Sequence, residues 1–439
     1  MYKRQNLRYP LSLAVSLDQN AQQSTVTFTL PDGKPQWGEE GTLVDLVQHL
    51  DVTYDSGTGT YTYTAKSTHG LKAVADWMAD GGTPPLKPAD NLNAPDYAGN
   101  APETNADDLA ARMKTNLILA TDIDLSVLTV NSYSDAAAND GTANWRPIGT
   151  PSAPYTGSFD GGGFSVTGLD IQRPQADYQG LFGTIAAKDG AGATVKNVTV
   201  TGSVTGKDCV AAIVACNIGG SLENCVNQAT VKANGKVGGV AGLNDGGTLT
   251  VCAGTATVES TEDGSLVGGV VGQNKNSGTL IACYATGEVS GTGSQSRIGG
   301  VVGFNQNGDG TATARNGSTR GATATGSNLY LCAGMATTLT GDAGAVVGGV
   351  TGTNSDGTLN ACFTTTMDCK VDGGDNTGGG TQKDCYPIEN KAFGSDGSGV
   401  GMESASTKDN SPALKGRVST QPQWAALWVP GVSPLSLCL

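Results

Sequence analysis

Charged residues make up only 15% of the 439-residue chain, and aromatic residues 5%. So little Glu, Lys and Arg excludes a coiled coil and most helical bundles, which use those residues in bulk. There are 40 acidic against 26 basic residues and no basic stripe, so no nucleic-acid interface is expected. The net charge of −14 instead favours solubility and mutual repulsion. No run of 18 apolar residues occurs, so no helix of this chain is expected to span a membrane. Glycine is abundant but follows no three-residue period, which excludes collagen. Val, Leu and Ile recur regularly, which argues against disorder. The first residues lack a signal-peptide pattern. Met1–Gln5 reads as a translated adapter, so a truncated N-terminus is expected, with a signal or lipoprotein anchor lost.

What is present is repetition. The 65 glycines are about twice average usage, and many fall in one recurring motif. Val/Ile-Gly-Gly-Val-x-Gly-x-Asn occurs at Val237–Asn244, Val267–Asn274, Ile298–Asn305 and Val347–Asn354. A degenerate copy runs from Val210 to Asn217, and Gly180–Gly183 resembles half a copy. The closing Asn residues are spaced 27, 30, 31 and 49 apart, the last gap holding an insertion at Gly310–Gly326. A second motif follows each first one as Leu, two residues, then Cys. Its members are Leu222/Cys225, Leu249/Cys252, Leu280/Cys283, Leu329/Cys332 and Leu359/Cys362. Val231, Val258 and Val289 lie six residues beyond three of these cysteines, an even offset that shares one strand face. Leu and Cys are three apart, so either a corner separates them or they face opposite ways.

Repeats of this length, rich in Val, Thr and Gly, imply an all-β parallel β-helix (β-solenoid) with one coil per repeat. Six or seven coils stacked at about 4.8 Å would make a rod of roughly 30 Å. Leu71, Val74, Ala75 and Met78 lie at helical spacing after Ser67 or Thr68 as N-cap, with Gly81 beyond the end. A second short helix is expected around 107–114. Residues 66–115 then form a helical capping segment that shields the open end of the solenoid. Residues 1–65 alternate apolar and polar and read as a partial, sandwich-like β domain. Residues 116–439 form the β-helix with its own C-terminal cap, to which Trp424 and Trp428 are assigned.

The Gly-Gly-Val-x-Gly-x-Asn and Gly-x-Leu-x-x-Cys pattern resembles the GLUG-motif repeats of bacterial, Bacteroidales-type surface proteins. Leu119–Leu125, Trp145–Gly149, Tyr155–Gly163 and Trp428–Leu435 are similar to that family's lead-in and closing strand. The resemblance covers roughly residue 66 onward. It implies an adhesin-like role at the outer cell surface or outside the cell, with glycans or host surface proteins as partners. Some members carry a metallopeptidase with HExxH. The two histidines here, His49 and His69, stand in no such context, so that activity is not carried over.

Five of the 10 cysteines, Cys225, Cys252, Cys283, Cys332 and Cys362, share one register position. A line of thiols does not make the tetrahedral cluster a structural zinc needs. It reads instead as a column of small buried apolar side chains. Cys209 with Cys216, and Cys369 with Cys385, are candidate pairs across loops. Asp122 and Asp124 share a strand face, with Asp160 and Asp170 near in sequence, and paired carboxylates are what glycoside hydrolysis requires. No His follows residue 69, whereas pectin-cleaving helices bring His, Arg or Lys into the cleft, and Asp160 before Gly161 is ordinary turn chemistry. Asn305–Gly310 matches the opening of a calcium loop, but its twelfth position is Asn316 where a bidentate Glu is needed. No metal or cofactor is expected. The reading is a non-enzymatic adhesin-like rod that presents loops at 310–326 and 372–380. A polysaccharide lyase or glycosidase and a structural stalk are the alternatives.

Overall fold

The structure is a computed structural model. It describes residues 12–16, 25–29, 48–81, 84–86, 109–135, 138–187, 192–307, 326–355, 357–365, 381–383 and 386–387. Each repeat forms one coil, and a single coil shows the path. Ser221–Lys232 lies in the large sheet, Lys236–Gly238 in a second and Ala241–Asp245 in a third, before the chain re-enters the large sheet at Thr248. Segments beginning at Ser158, Thr194, Ser221, Thr248, Thr279, Asn328, Thr358 and Thr381 stack in parallel register. Asn116–Leu119 and Thr62–Ala65 extend the same parallel stack at its N-terminal end. The third sheet has six parallel strands and the second has four.

Translation along the rod brings like residues onto like. The rows Val204, Val231, Val258, Val289, Leu339 and Val195, Leu222, Leu249, Leu280, Leu329, Leu359 run in register through the interior. Nearly all of these side chains are fully buried, each worth about 1.5–3 kcal/mol of transfer free energy. The glycines of the repeat serve the same close stacking. A Cβ on Gly239, Gly269 or Gly300 would collide with the carbonyl oxygen of Gly269, Gly300 or Gly349 in the next coil.

The relation of Leu to Cys resolves as a corner. The residue immediately before the Cys position has φ near +50° in six successive coils: Asn197, Asn224, Val251, Ala282, Leu331 and Ala361. This left-handed residue breaks the strand alternation, so both Leu and Cys point into the core.

The helix at the N-terminal end runs Thr68–Asp80. Ser67 Oγ accepts from Gly70 N at 3.2 Å, and Gly81 N–H closes on Trp77 O. Its buried Leu71, Val74, Trp77 and Met78 join the rod's core, with the Trp77 ring 5.8 Å from Tyr63. A second, shorter helix is Leu109–Arg112. The expected domain break after residue 65 is corrected. The hairpin Leu50–Asp55/Thr60–Ala65 belongs to the large sheet, with Thr62–Ala65 pairing in parallel with Asn116–Leu119. The physical reason is shared burial: Leu50, Val52, Tyr63 and Ala65 fill the same core as the coils. Farther upstream, Ser12–Ser16 pairs antiparallel with Thr25–Thr29.

Candidate functional site

The motif-closing asparagines form one continuous column. Asn217, Asn244, Asn274, Asn305 and Asn354 are in register and fully buried. Each Nδ2 donates to the Oδ1 of the next asparagine along the rod, at 2.8, 2.8, 2.9 and 2.8 Å. The second amide hydrogen goes to a turn carbonyl: Gly220, Gly247, Gly278, Ser327 and Gly357 in order. Each of these five turns is therefore tied to its own coil and to a neighbouring one. The 49-residue gap obeys the same rule. Ser327 O receives the Asn305 amide, so the insertion leaves and re-enters at the ladder's turn. At the first position of the calcium-loop-like stretch, Asn305 Oδ1 accepts from Asn274 within the ladder, and the stretch from residue 308 lies outside the described residues.

The cysteines form a second column, at the left-handed corner of the large sheet. Cys225, Cys252, Cys283, Cys332 and Cys362 are fully buried. Their thiols donate to carbonyls of the preceding coil: Val195, Leu222, Leu249, Leu280 and Leu329, at 3.4–3.8 Å. Burial pushes the Cys252 and Cys332 thiols well above their ordinary value. With their thiols against backbone carbonyls, all five pack as small buried side chains of the core.

The four candidate carboxylates are each engaged by neighbouring backbone or side-chain donors. Asp122 Oδ1 accepts from Ser165 N at 2.8 Å. Asp124 Oδ1 accepts from the Ser126 hydroxyl and N–H and opens the short turn Leu125–Val127, which holds its carboxyl below the usual range. Asp170 Oδ1 accepts from Gln172 Nε2 at 2.9 Å. Asp160 is pushed up by burial but more strongly down by Gly162 N–H, the Asn197 amide and Lys196. A glycosidase acid needs its carboxyl raised, and neither Asp124 nor Asp160 moves that way.

Asp160 also heads an outer chain that sequence reasoning missed: Asn197 Nδ2 donates to Asp160 at 3.0 Å, and Asn224 Nδ2 to Asn197 at 3.1 Å. The available signal was position, since both asparagines directly precede the Cys-column residues Val198 and Cys225. Ion pairs missed from the sequence likewise join adjacent coils: Lys196–Asp160, Lys236–Asp208, Lys232–Glu259 and Lys275–Asp245. The expected presentation loops, the pair Cys369/Cys385, Asn316, and Trp424 and Trp428 lie outside the described residues. Among the described residues no three His, Cys, Asp or Glu side chains converge as a metal site, and no helix is long and apolar enough to cross a membrane.

Comparison with known proteins adds short stretches of likeness. No family model matches the chain. Halomucin of Haloquadratum walsbyi is 37% identical over 112 residues, which are 25% of this chain and 1% of that protein. A protein named "Putative Gly-rich membrane protein" from Evansella cellulosilytica is 36% identical over 84 residues, 19% of this chain and 8% of that one. The chain thus matches only a small part of either relative's length. Among solved structures, one described as a "putative immunoglobulin A1 protease" from Bacteroides ovatus aligns with TM-score 0.48 and 19% identity. That alignment covers 74% of this chain and 84% of the other.

Proposed function

We propose that this chain is a non-enzymatic, adhesin-like β-helix of the cell surface that displays its insertions to glycans or host surface proteins. One observation carries the reading: polar side chains are spent along the stacking axis. The asparagine column, the Asp160–Asn197–Asn224 chain and the inter-coil ion pairs all bond one coil to the next. Groups so engaged stiffen a scaffold, and a rigid scaffold with loops is the usual platform for recognition. The 49-residue repeat supports it, because its extra residues are inserted between two ladder-anchored points, Asn305 and Ser327. The resemblance to GLUG-motif repeats points the same way.

The test passes the purified chain over immobilised polysaccharides and host glycoproteins, measuring retained protein and released soluble sugar. Retention without fragments is the expected result. Fragments that disappear in the Asp122→Asn/Asp124→Asn variant would make the rod a polysaccharide-degrading enzyme. Neither signal would leave a stalk that carries another domain.

A further inference from the structure

We propose that Cys209 and Cys216 become joined by a disulfide bond when the chain folds under oxidising conditions. All seven described cysteines are free thiols in the structure, and of these Cys209 and Cys216 alone stand off the column at the Leu-x-x-Cys corner. They form, with Leu243, a small buried cluster separate from the main core, flanked by Tyr178 and Ile218. The register explains how they meet. Val210, next to Cys209, stacks on Val237 at the edge of the second sheet, whereas Cys216 stacks on Leu243 in the third. The chain from Val210 to Val214 turns the corner between those sheets and folds the two thiols into one cluster.

The ladder cysteines differ in every respect that matters for pairing. Each of their thiols is aimed at carbonyls of its own and the preceding coil, in a line of parallel side chains. Such parallel vectors suit a disulfide badly. Cys209 is also held at φ +53° in a buried corner, where burial and the Asp208 carboxylate disfavour its thiolate. The bond therefore forms while the corner is still open. The oxidant is a small-molecule disulfide of the glutathione class. One thiolate attacks it to give a mixed disulfide and release one glutathione thiol. The second Cys thiolate then displaces the other glutathione. One S–S bond forms and one breaks, two thiols lose their protons, and two glutathione thiols take up both electrons and both protons.

The test refolds the full chain in a glutathione redox buffer, so that burial cannot block the oxidant. The product is then unfolded, alkylated without reduction, digested with trypsin, weighed and fragmented to locate the alkyl group. Cleavage after Lys207 and Lys232 gives a peptide from Asp208 to Lys232 that holds Cys209, Cys216 and Cys225. The expected peptide carries one alkyl group, on Cys225, and has two hydrogens fewer than its dithiol form. A peptide with three alkyl groups, or a bridge from either cysteine to Cys225 or to another peptide, would overturn the proposal.

Discussion

Two columns run along five successive coils of this rod, and they are built on opposite principles. In the asparagine column four successive junctions join the side chains, so each inner member has an asparagine partner on both sides. In the cysteine column each thiol meets backbone of the coil before it, and the five side chains serve mainly as small apolar filler. The difference teaches where cooperativity in a stacked coil resides. A buried amide network transmits the loss of one member to two others, because an orphaned polar group pays its full desolvation. A packed thiol loses only its own contacts, since it is a weak donor.

Breaking the polar column should have the largest effect. Asn274→Leu removes the acceptor for Asn244 Nδ2, the donor to Asn305 Oδ1 and the donor to Gly278 O. With buried orphans costing ~1–3 kcal/mol each, urea denaturation should show a loss of about 3 kcal/mol or more. The matching change in the other column, Cys283→Ala, should cost only about 1 kcal/mol, the order expected for shortening a buried side chain.

A third substitution sharpens the contrast by carrying the amide principle to the Cys corner. Val251 holds a left-handed conformation that a β-branched residue adopts at a cost of about 1–2 kcal/mol. Asn occupies that place in the two preceding coils, at Asn197 and Asn224. Val251→Asn relieves the strain and offers Asn224 Oδ1 a donor, so a gain of about 1 kcal/mol is expected in thermal unfolding.

The smallest effect concerns pH. Burial pushes the Asp208 carboxyl up, but hydrogen bonds from the Lys236 ammonium and backbone N–H, with the ammonium charge, bring it below its ordinary value. A depressed folded-state pKa gives stability that is complete above the unfolded value and lost as pH falls through the folded one. Asp208→Asn should therefore remove up to about 1 kcal/mol of the acid-side decline seen below roughly pH 4, given how solvent screens such half-exposed pairs. The check is urea titration of both proteins at pH 7 and at pH 3.

Much of this was legible because a parallel solenoid converts register into spacing. Asparagines 27, 30 and 31 apart fall on one another, and the Leu-x-x-Cys rows do the same. The corner was not legible, since a three-residue offset fits a bend or a flip equally. The residues that make the bend include Val251 and Leu331, types that ordinarily avoid left-handed backbone. Ion pairs such as Asp208–Lys236 and Asp245–Lys275 escaped because their members lie a whole coil apart. The hairpin at Leu50–Ala65 misled because alternation looks alike in a separate domain and in an end rung. Its parallel partner, Asn116–Leu119, is some fifty residues away. Among the candidate acids, Asp160 before Gly161 was readable as turn chemistry, but its place at the head of an amide chain needed the stacking to be seen.

The most direct test of the central claim, that polar side chains act along the stacking axis as one chain, is a double-mutant cycle on adjacent ladder residues. Asn244→Leu, Asn274→Leu and the double variant would be compared by urea denaturation. Because the first loss already breaks the bond between them, the account expects the double variant to fall short of the summed losses by about 1 kcal/mol or more. Strict additivity would contradict it, and would reduce the column to five independent turns that happen to share a register.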